Sequence, residues 1–120
     1  MVKKVLIVDD SVAEVHLMQT FLRQAGIHSV GISDPTKTEE AIEQERPSVI
    51  LLDVVMPQRN GFQVCRDLKA RETYSGIPVI LVTSKTAPSD RYWGEQQGAN
   101  GYVAKPFTPE ELIDAVKRFS

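Results

Sequence analysis

Short runs of aliphatic residues recur along the chain, and each run is followed by polar residues. Three of them, residues 5–8, 49–52 and 79–82, are continuous and consist of Val, Ile and Leu. Runs of this length and composition predict strands that are buried on both faces, as the central strands of a parallel sheet are. The runs at 29–32 and 101–104 are more dilute, which predicts strands at the two edges of the sheet.

Helical patterns separate the predicted strands. In the first, Val15, Met18, Leu22 and Ala25 recur every three or four residues, and Gly26 follows as a stop signal. This spacing predicts an amphipathic helix whose apolar stripe, Ala25 included, faces the core.

Polar signals mark the starts of three other helices. Asp34-Pro35 predicts an N-cap followed by proline at the first helical position, and the Asn60-Gly61 turn precedes the third helix. The segment TPEE (108–111) combines an N-cap, a proline and a capping-box glutamate before the last helix. The residues expected to face inward from the third and last helices are Val64, Cys65, Leu68, Leu112, Val116 and Phe119.

The predicted fourth helix, residues 89–97, has the weakest pattern. Its large apolar residues are Tyr92 and Trp93, and Gly94 interrupts it at a cost of about 1 kcal/mol relative to alanine. Two roles stay open for Trp93, namely packing on this helix and contact with a partner protein.

Five βα units joined by right-handed crossovers predict an α/β fold with a doubly wound, five-stranded parallel sheet. At 120 residues we expect one domain, residues 1–120, with no output domain. In such sheets the functional site lies outside the carboxyl ends of the strands. The polar residues that follow four of the predicted strands are Asp9, Asp10, Asp53, Thr83, Ser84 and Lys105.

Composition narrows the function classes. Apolar residues make up 42% of the chain and charged residues 25%, and the net charge of −2 is spread rather than clustered, which disfavours nucleic acid as a partner. The only cysteine, Cys65, lies in an apolar setting and is expected to be a buried thiol. The first apolar run is too short for a signal sequence and no long apolar span follows, so we expect a cytoplasmic protein that does not have a membrane as a partner.

The convergence of Asp9, Asp10 and Asp53 on one sheet edge favours a metal site. Asp53 by itself could be no more than a polar strand end, and Asp10 or Ser11 could cap the first helix. Three carboxylates placed together repel one another, however, and a hard cation such as Mg²⁺ compensates for that repulsion.

Phosphoryl transfer is the chemistry that these residue types suit. An aspartate carboxylate can attack phosphorus and form an aspartyl phosphate, while Lys105 pairs with one phosphoryl oxygen and Thr83 donates its hydroxyl to another. A flavin or nucleotide carrier is disfavoured, because its phosphate loop would read Asp9-Asp10-Ser11 here. A haloacid-dehalogenase type of hydrolase is disfavoured, because Val55 stands where its second acid belongs.

Four motifs, in order and suitably spaced, carry a family resemblance: LIVDDS (6–11), LLDVVMPQRNGF (51–62), VTS (82–84) and KPF (105–107). Together they resemble the receiver domain of bacterial response regulators, over essentially the whole chain. The stretch 90–107 is most similar to stand-alone receivers of type IV pilus and chemotaxis-like motility systems. The resemblance implies a flavodoxin-like (βα)5 fold with strand order 2-1-3-4-5 and a cis Lys105-Pro106 bond.

The resemblance also implies roles for individual residues. Asp53 matches the phosphoacceptor, and the Mg²⁺ ligands would be Asp53, the acidic pair Asp9 and Asp10, and the backbone carbonyl of Val55. Thr83 and Lys105 match the switch hydroxyl and the phosphate-pairing lysine. Tyr102 matches the aromatic residue that turns inward when the hydroxyl moves, although an edge-strand aromatic that half covers the core is the alternative.

The family pattern is broken at three positions. Val55 and Lys85 stand two residues after Asp53 and Thr83, where they flank the path of the attacking water, so the lifetime of the phosphoryl group is not transferable from a relative. Arg59 replaces a common methionine, a change for which the sequence suggests no chemical consequence.

The partners implied by the resemblance are a histidine kinase or phosphotransfer domain and a downstream protein target. The target would bind the face formed by the fourth helix, fifth strand and fifth helix, with residues 85–103 as the element that moves. Beyond accepting and slowly hydrolysing its own phosphoryl group, the protein is not expected to be an enzyme. A phosphate sink for a shared kinase and a docking module that is never phosphorylated stay open as alternatives.

Overall fold

The computed structural model describes residues 4–119 and shows strands and helices in strict alternation. The strands are β1 (Val5–Val8), β2 (Ser29–Ile32), β3 (Val49–Leu52), β4 (Val79–Thr83) and β5 (Gly101–Ala104). The helices are α1 (Val12–Gln24), α2 (Thr38–Glu45), α3 (Gly61–Lys69), α4 (Pro88–Gln96) and α5 (Pro109–Lys117). Every predicted strand is confirmed, and β4 extends one residue further, to Thr83.

The five strands form one parallel sheet in the order β2-β1-β3-β4-β5, as the resemblance implies. The two dilute runs therefore lie at the edges, as their composition predicted. Val8 is in register with Leu52, so β1 and β3 end at the same level. Because Asp9 and Asp53 directly follow these two residues, the register places them side by side at the carboxyl edge of the sheet.

The core has two layers because side chains alternate between the faces of each strand. One face of β1, β3 and β4 packs against α1 and α5, and the other face packs mainly against α2 and α3. All residues of β1 and β3 are buried, as expected for strands covered on both faces. Among residues 4–119, no helix combines the length and apolar character that crossing a membrane requires.

Most of the predicted helix starts are confirmed. The Ser11 hydroxyl accepts a hydrogen bond from the Glu14 N–H at the start of α1, and capping boxes begin α3 and α5. At the second helix the prediction was wrong in detail. Asp34 caps a short 3₁₀ turn, Pro35–Lys37, and α2 itself begins at Thr38.

The apolar stripe of α1 differs from the prediction at its last position. Ala25 is exposed, because the helix ends there and the chain reverses through Gly26, which has a φ of 76°. The reversal returns Ile27 to the core, where its N–H donates to the Leu22 carbonyl at 2.8 Å. Ile27 thus occupies the buried position expected for Ala25.

Helix α4 turns its glycine, rather than its aromatic residues, towards the sheet. Gly94 is buried, whereas Tyr92 and Trp93 are 62% and 49% exposed. A Cβ at Gly94 would lie 2.9 Å from Leu81 Cδ1 and 3.3 Å from Tyr102 Cε2. The residue that weakens the helix locally therefore allows it to approach β4 and β5 closely.

Candidate functional site

The three acidic side chains predicted to converge do converge at the carboxyl edge of the sheet. One carboxylate oxygen from each of Asp9, Asp10 and Asp53 lies within 4.8 Å of the others. Asp9 is fully buried and Asp53 is 8% exposed, while Asp10 is exposed. Two carboxylates at the floor of a small acidic cleft are thus shielded from water, and the third lies at its rim.

Lys105 enters the same cleft from the end of β5. Its Nζ lies 2.8 Å from Asp9 Oδ2 and 3.6 Å from Asp53 Oδ2, so its ion pair is tighter with Asp9 than with Asp53. The bond before Pro106 is cis, as the resemblance implied. One ammonium group therefore faces two buried carboxylates, and the pair of acids remains incompletely neutralised.

The backbone fixes one oxygen of each buried acid. Asp9 Oδ1 accepts a hydrogen bond from the Ser11 N–H at 2.9 Å, and Asp53 Oδ1 accepts one from the Val54 N–H at 2.8 Å. Short loops after β1 and β3 thus set the orientation of both carboxylates. The second oxygen of Asp53 has Lys105 as its nearest cation, at the longer of the two distances.

The electrostatics of the cleft follow from burial and from this charge imbalance. Burial raises the pKa of Asp53 and the negative charge of Asp9 raises it further, while the Lys105 ammonium lowers it. For Lys105, burial opposes protonation, but the hydrogen bond to Asp9 and the charge of Asp53 raise its pKa. Lys105 is therefore a cation in this cleft, and another positive charge would stabilise the ionised form of Asp53.

The donor set fits a hard divalent cation. Mg²⁺ prefers carboxylate and carbonyl oxygens, usually with several waters completing its octahedron, and the cleft offers oxygens from three acids. Neither a sulfur nor an imidazole belongs to this group, so the residues suit Mg²⁺ better than Zn²⁺ or copper.

Val55 lies on the loop between β3 and α3, and its side chain is 56% exposed. Its neighbours Val54 and Met56 are buried, and the Gly61 N–H donates to the Val54 carbonyl at 2.9 Å. The loop is therefore fastened on both sides of Val55, next to Asp53. The resemblance assigns the Val55 carbonyl to the metal, and that assignment stays a prediction.

Gly61 is a site residue that the sequence pattern indicated only as part of a turn. A Cβ at this position would lie 2.1 Å from the backbone oxygen of Asp53, far inside contact distance. Gly61 lets the start of α3 press against the backbone of the phosphoacceptor candidate. Periodicity does not reveal such a contact, since it depends on how the loop folds back.

Thr83 is fully buried at the end of β4, next to the entry of Lys105. Its hydroxyl accepts a hydrogen bond from the Lys85 N–H at 3.2 Å, and its carbonyl accepts one from the Lys105 N–H at 3.0 Å. Ser84, the neighbouring candidate, is exposed. The two predicted phosphoryl contacts, Thr83 and Lys105, thus belong to adjacent strand ends joined by a backbone hydrogen bond.

Tyr102 connects the segment after Thr83 to α4. Its hydroxyl donates to the Lys85 carbonyl, and the Arg91 guanidinium lies 4.9 Å from the centre of its ring. Tyr102 also packs on the core while staying partly exposed. Both sequence interpretations of Tyr102, switch and half-buried edge aromatic, are compatible with this position.

The expectation for Cys65 can be checked directly. Its side chain is buried in α3, and burial raises the pKa of its thiol to about 11. A thiol with so high a pKa stays protonated at neutral pH, so Cys65 contributes to core packing and is not a nucleophile.

Arg59, for which the sequence suggested no chemical consequence, has three partners in the structure. Its guanidinium contacts the carboxylates of Glu39 and Asp67 and the carbonyl of Pro35. The sequence alone does not reveal these contacts, because partners distant in sequence become neighbours only when α2 and α3 pack beside the same loop.

The chain was compared with known families and structures. Residues 5–117 match the family described as the response regulator receiver domain. Protein PilH of Pseudomonas aeruginosa is 38% identical over 113 residues, which are 94% of this chain and 93% of PilH. The solved structure of chemotaxis protein CheY4 of Vibrio cholerae superposes with a TM-score of 0.92 at 30% identity and covers 100% of both chains.

Longer proteins match as well. The DNA-binding response regulator MtrA of Mycobacterium tuberculosis is 37% identical over 115 residues, which are 96% of this chain but 49% of MtrA. The chain thus spans about half the length of this curated relative.

Proposed function

The chain belongs to the response regulator receiver domain family of two-component signalling, and from that premise we propose that Asp53 accepts a phosphoryl group from the phosphohistidine of a partner. The partner would be a histidine kinase or a phosphotransfer domain. A carboxylate oxygen of Asp53 attacks phosphorus, and the bond from phosphorus to the histidine nitrogen breaks as the new oxygen bond forms. The product is an aspartyl phosphate at the edge of the sheet.

One observation carries this proposal: Asp53 is a nearly buried carboxylate on a rigid strand end, with incompletely balanced charge around it. Its Oδ2 has the Lys105 ammonium at 3.6 Å, while the like charge of Asp9 and burial raise its pKa. A bound phosphoryl group would have Lys105 beside it as a point charge. The Thr83 hydroxyl, from the adjacent strand end, would donate to a second oxygen.

Receiver domains bind Mg²⁺ at an acidic cluster, and this chain has such a cluster in Asp9, Asp10 and Asp53. We assign the ion to these carboxylates and to the Val55 carbonyl, with exposed Asp10 as the more direct ligand of the acidic pair. When bound, Mg²⁺ would neutralise charge on the phosphoryl oxygens. Asp9, by contrast, is held by Ser11 and Lys105, which suits a supporting role.

The proposal is tested by incubating the protein with acetyl phosphate and Mg²⁺ and measuring its intact mass. The wild type should gain one phosphoryl group and Asp53→Asn should gain none. Asp114→Asn, which changes an exposed acid on α5, should behave as wild type. A wild type of unchanged mass, or a label retained by Asp53→Asn, contradicts the assignment.

We further propose that the signal leaves through the face formed by α4, β5 and α5. Pulling Thr83 towards the phosphoryl group would move the segment that begins at Lys85, whose carbonyl holds the Tyr102 hydroxyl. A cavity of about 310 Å³ already lies beside Tyr102 on this face, lined by Arg91, Glu95, Ala99, Asn100, Gly101 and Tyr102. A shift of a few kcal/mol is enough to move such a population.

This route is tested with beryllofluoride, a stable mimic of the phosphoryl group. In the presence of Mg²⁺ it should change the emission of Trp93, the only tryptophan, and the amide chemical shifts of residues 86–103. Asp53→Asn supplies the control, which should not respond. Shifts confined to the strand ends in the wild type would show that the signal takes another path.

Two of the relatives support an output by docking to another protein. The matches to PilH and CheY4 take in nearly all or all of those proteins, and CheY4 is described as a chemotaxis protein. We propose taxis or surface motility as the process that this receiver controls.

A further inference from the structure

The guanidinium of Arg59 is the centre of an ion-pair network beside the loop that follows Asp53. Nη1 donates to Glu39 Oε1 at 2.7 Å, and Nη2 donates to Glu39 Oε2 at 2.6 Å, forming a bidentate pair. Nη2 also donates to Asp67 Oδ2 at 3.1 Å, and Nη1 donates to the Pro35 carbonyl at 3.3 Å. One side chain on the loop thus fastens it to the turn before α2, to α2 and to α3.

This network is more than an exposed surface pair. The side chains of Arg59 and Glu39 are only 17% and 26% exposed, so solvent screens their attraction incompletely. Bidentate pairs of arginine and carboxylate are the strong, geometrically specific kind. In agreement with this geometry, the hydrogen bond from Arg59 lowers the pKa of Glu39 despite its partial burial.

The loop that Arg59 anchors contains the carbonyl assigned to the metal. On its amino side, burial of Val54 and Met56 holds the chain against the core. On the carboxyl side the backbone passes through Gln58, a non-glycine residue with a φ of 68°, and the Arg59 N–H donates to the Pro57 carbonyl at 2.7 Å. A non-glycine residue in this left-handed conformation persists only where the surrounding structure holds it, and the Arg59 contacts are part of that structure.

We propose that Arg59 is a positioning residue for the Mg²⁺ site, acting through the loop that presents the Val55 carbonyl. The inference rests on the proposed function, because it takes that carbonyl as a ligand. Mg²⁺ demands near-ideal octahedral geometry, so small displacements of one fixed ligand reduce affinity. Mutation of a residue that hydrogen-bonds to a metal ligand typically reduces metal affinity by about 10- to 100-fold, so for a residue that acts through the loop we expect an effect at the lower end of that range.

The charge of Arg59 and its positioning role predict opposite changes in Mg²⁺ affinity when the residue is replaced. Arg59 is a cation near a cation site, so by Coulomb's law alone its removal should tighten Mg²⁺ binding. If Arg59 instead positions the loop, its removal should weaken binding. Arg59→Lys separates the two effects further, since it keeps the charge and loses the planar fork that holds Glu39, Asp67 and Pro35 together.

The experiment is a calorimetric Mg²⁺ titration of wild type, Arg59→Lys, Arg59→Gln and Glu45→Gln. We expect Arg59→Gln to bind Mg²⁺ about 10-fold more weakly and Arg59→Lys to bind it more weakly by a smaller factor. Glu45→Gln is the matched control. It breaks the 3.0 Å pair between Lys4 and Glu45, which also anchors α2 but at the end remote from the site, and should leave the affinity unchanged.

A second measurement separates positioning from general stability. Backbone amide hydrogen exchange in residues 54–60 should accelerate in both Arg59 variants and not in Glu45→Gln, even where urea denaturation shows similar losses of stability. An Arg59→Lys protein that binds Mg²⁺ as tightly as wild type overturns the inference, whatever Arg59→Gln does. A wild type that shows no Mg²⁺ binding overturns the metal site itself, and the role of Arg59 with it.

Discussion

At the amino ends of β4 and β5, the Lys69 ammonium donates hydrogen bonds to three oxygens, namely the Ser75 and Ile77 carbonyls and Asn100 Oδ1, at 2.9 to 3.1 Å. At the carboxyl ends of the same sheet, the Lys105 ammonium faces two buried carboxylates. Both lysines are partly buried, yet the first is matched by neutral acceptors and the second by an excess of negative charge.

The difference separates a structural arrangement from a functional one. Lys69 satisfies backbone groups where α3 returns to the sheet, and Asn100 Oδ1 also accepts the Val79 N–H at 2.9 Å. Nothing in that arrangement calls for a ligand. At the opposite edge, a divalent cation would offset the excess of negative charge around Asp53. We expect the crowded carboxylates to lower the stability of the protein when that cation is absent.

The largest expected change in stability is at the amino ends of β4 and β5, where neutral acceptors surround Lys69. Replacing Lys69 by methionine removes three hydrogen bonds and deprives the partly buried Ile77 carbonyl of its lysine donor, so the free energy of unfolding should fall by about 2 kcal/mol. Urea denaturation measures the change. Phosphorylation by acetyl phosphate should persist, because Lys69 is remote from the carboxyl edge.

The control for Lys69 is Lys37→Met, which removes an exposed ion pair of 3.8 Å with Glu40. Such pairs contribute about 0–1 kcal/mol, so its stability should stay close to that of wild type. If the free energy of unfolding falls by the same amount in the two lysine variants, the Lys69 contacts do not stabilise the amino ends of β4 and β5 more than an exposed ion pair would.

A smaller change in stability, of opposite sign, is expected at the carboxyl ends of the strands, where the acids outnumber the lysine. With Mg²⁺ removed by EDTA, Asp53→Asn should stabilise the protein by about 1 kcal/mol at neutral pH, because it removes one of two crowded buried carboxylates. Urea denaturation compares it with Asp114→Asn, which should change stability little. Destabilisation by Asp53→Asn would mean that Lys105 fully neutralises both acids.

The gain from Asp53→Asn should depend on pH. Burial and Asp9 raise the pKa of folded Asp53 above its usual 3.8, so the folded state binds more protons than the unfolded state between those two pKa values. The contribution of Asp53 to stability is thus fully present below pH 3.8 and is lost as pH rises through the folded pKa. The advantage of Asp53→Asn over wild type should therefore be small in acid and grow towards neutrality.

Most of the fold could be predicted from the sequence, because strands buried on both faces need continuous aliphatic runs and helix starts need polar caps. The details that were wrong depend on the path of the chain in space. Because the chain reverses at Gly26, Ile27 is buried where Ala25 was expected to be. Because α4 approaches the sheet closely, Gly94 has a packing role.

The candidate site was predictable to the same degree and for a similar reason. Parallel strands end at a common edge, so strand-end residues such as Asp9, Asp53 and Lys105 had to meet there. Which of them pair was not predictable, since the preference of Lys105 for Asp9 depends on differences of less than 1 Å between two distances. The Arg59 network was missed because its partners lie on separate helices.

The claim that Asp53 is the phosphoacceptor is tested most directly by locating the label. After incubation with acetyl phosphate and Mg²⁺, borohydride reduction converts an aspartyl phosphate to homoserine, which tandem mass spectrometry assigns to a position. We expect homoserine at residue 53 and unmodified aspartate at residues 9 and 10. Homoserine at either of those two positions, or a phosphorylated protein without homoserine at residue 53, would contradict the account.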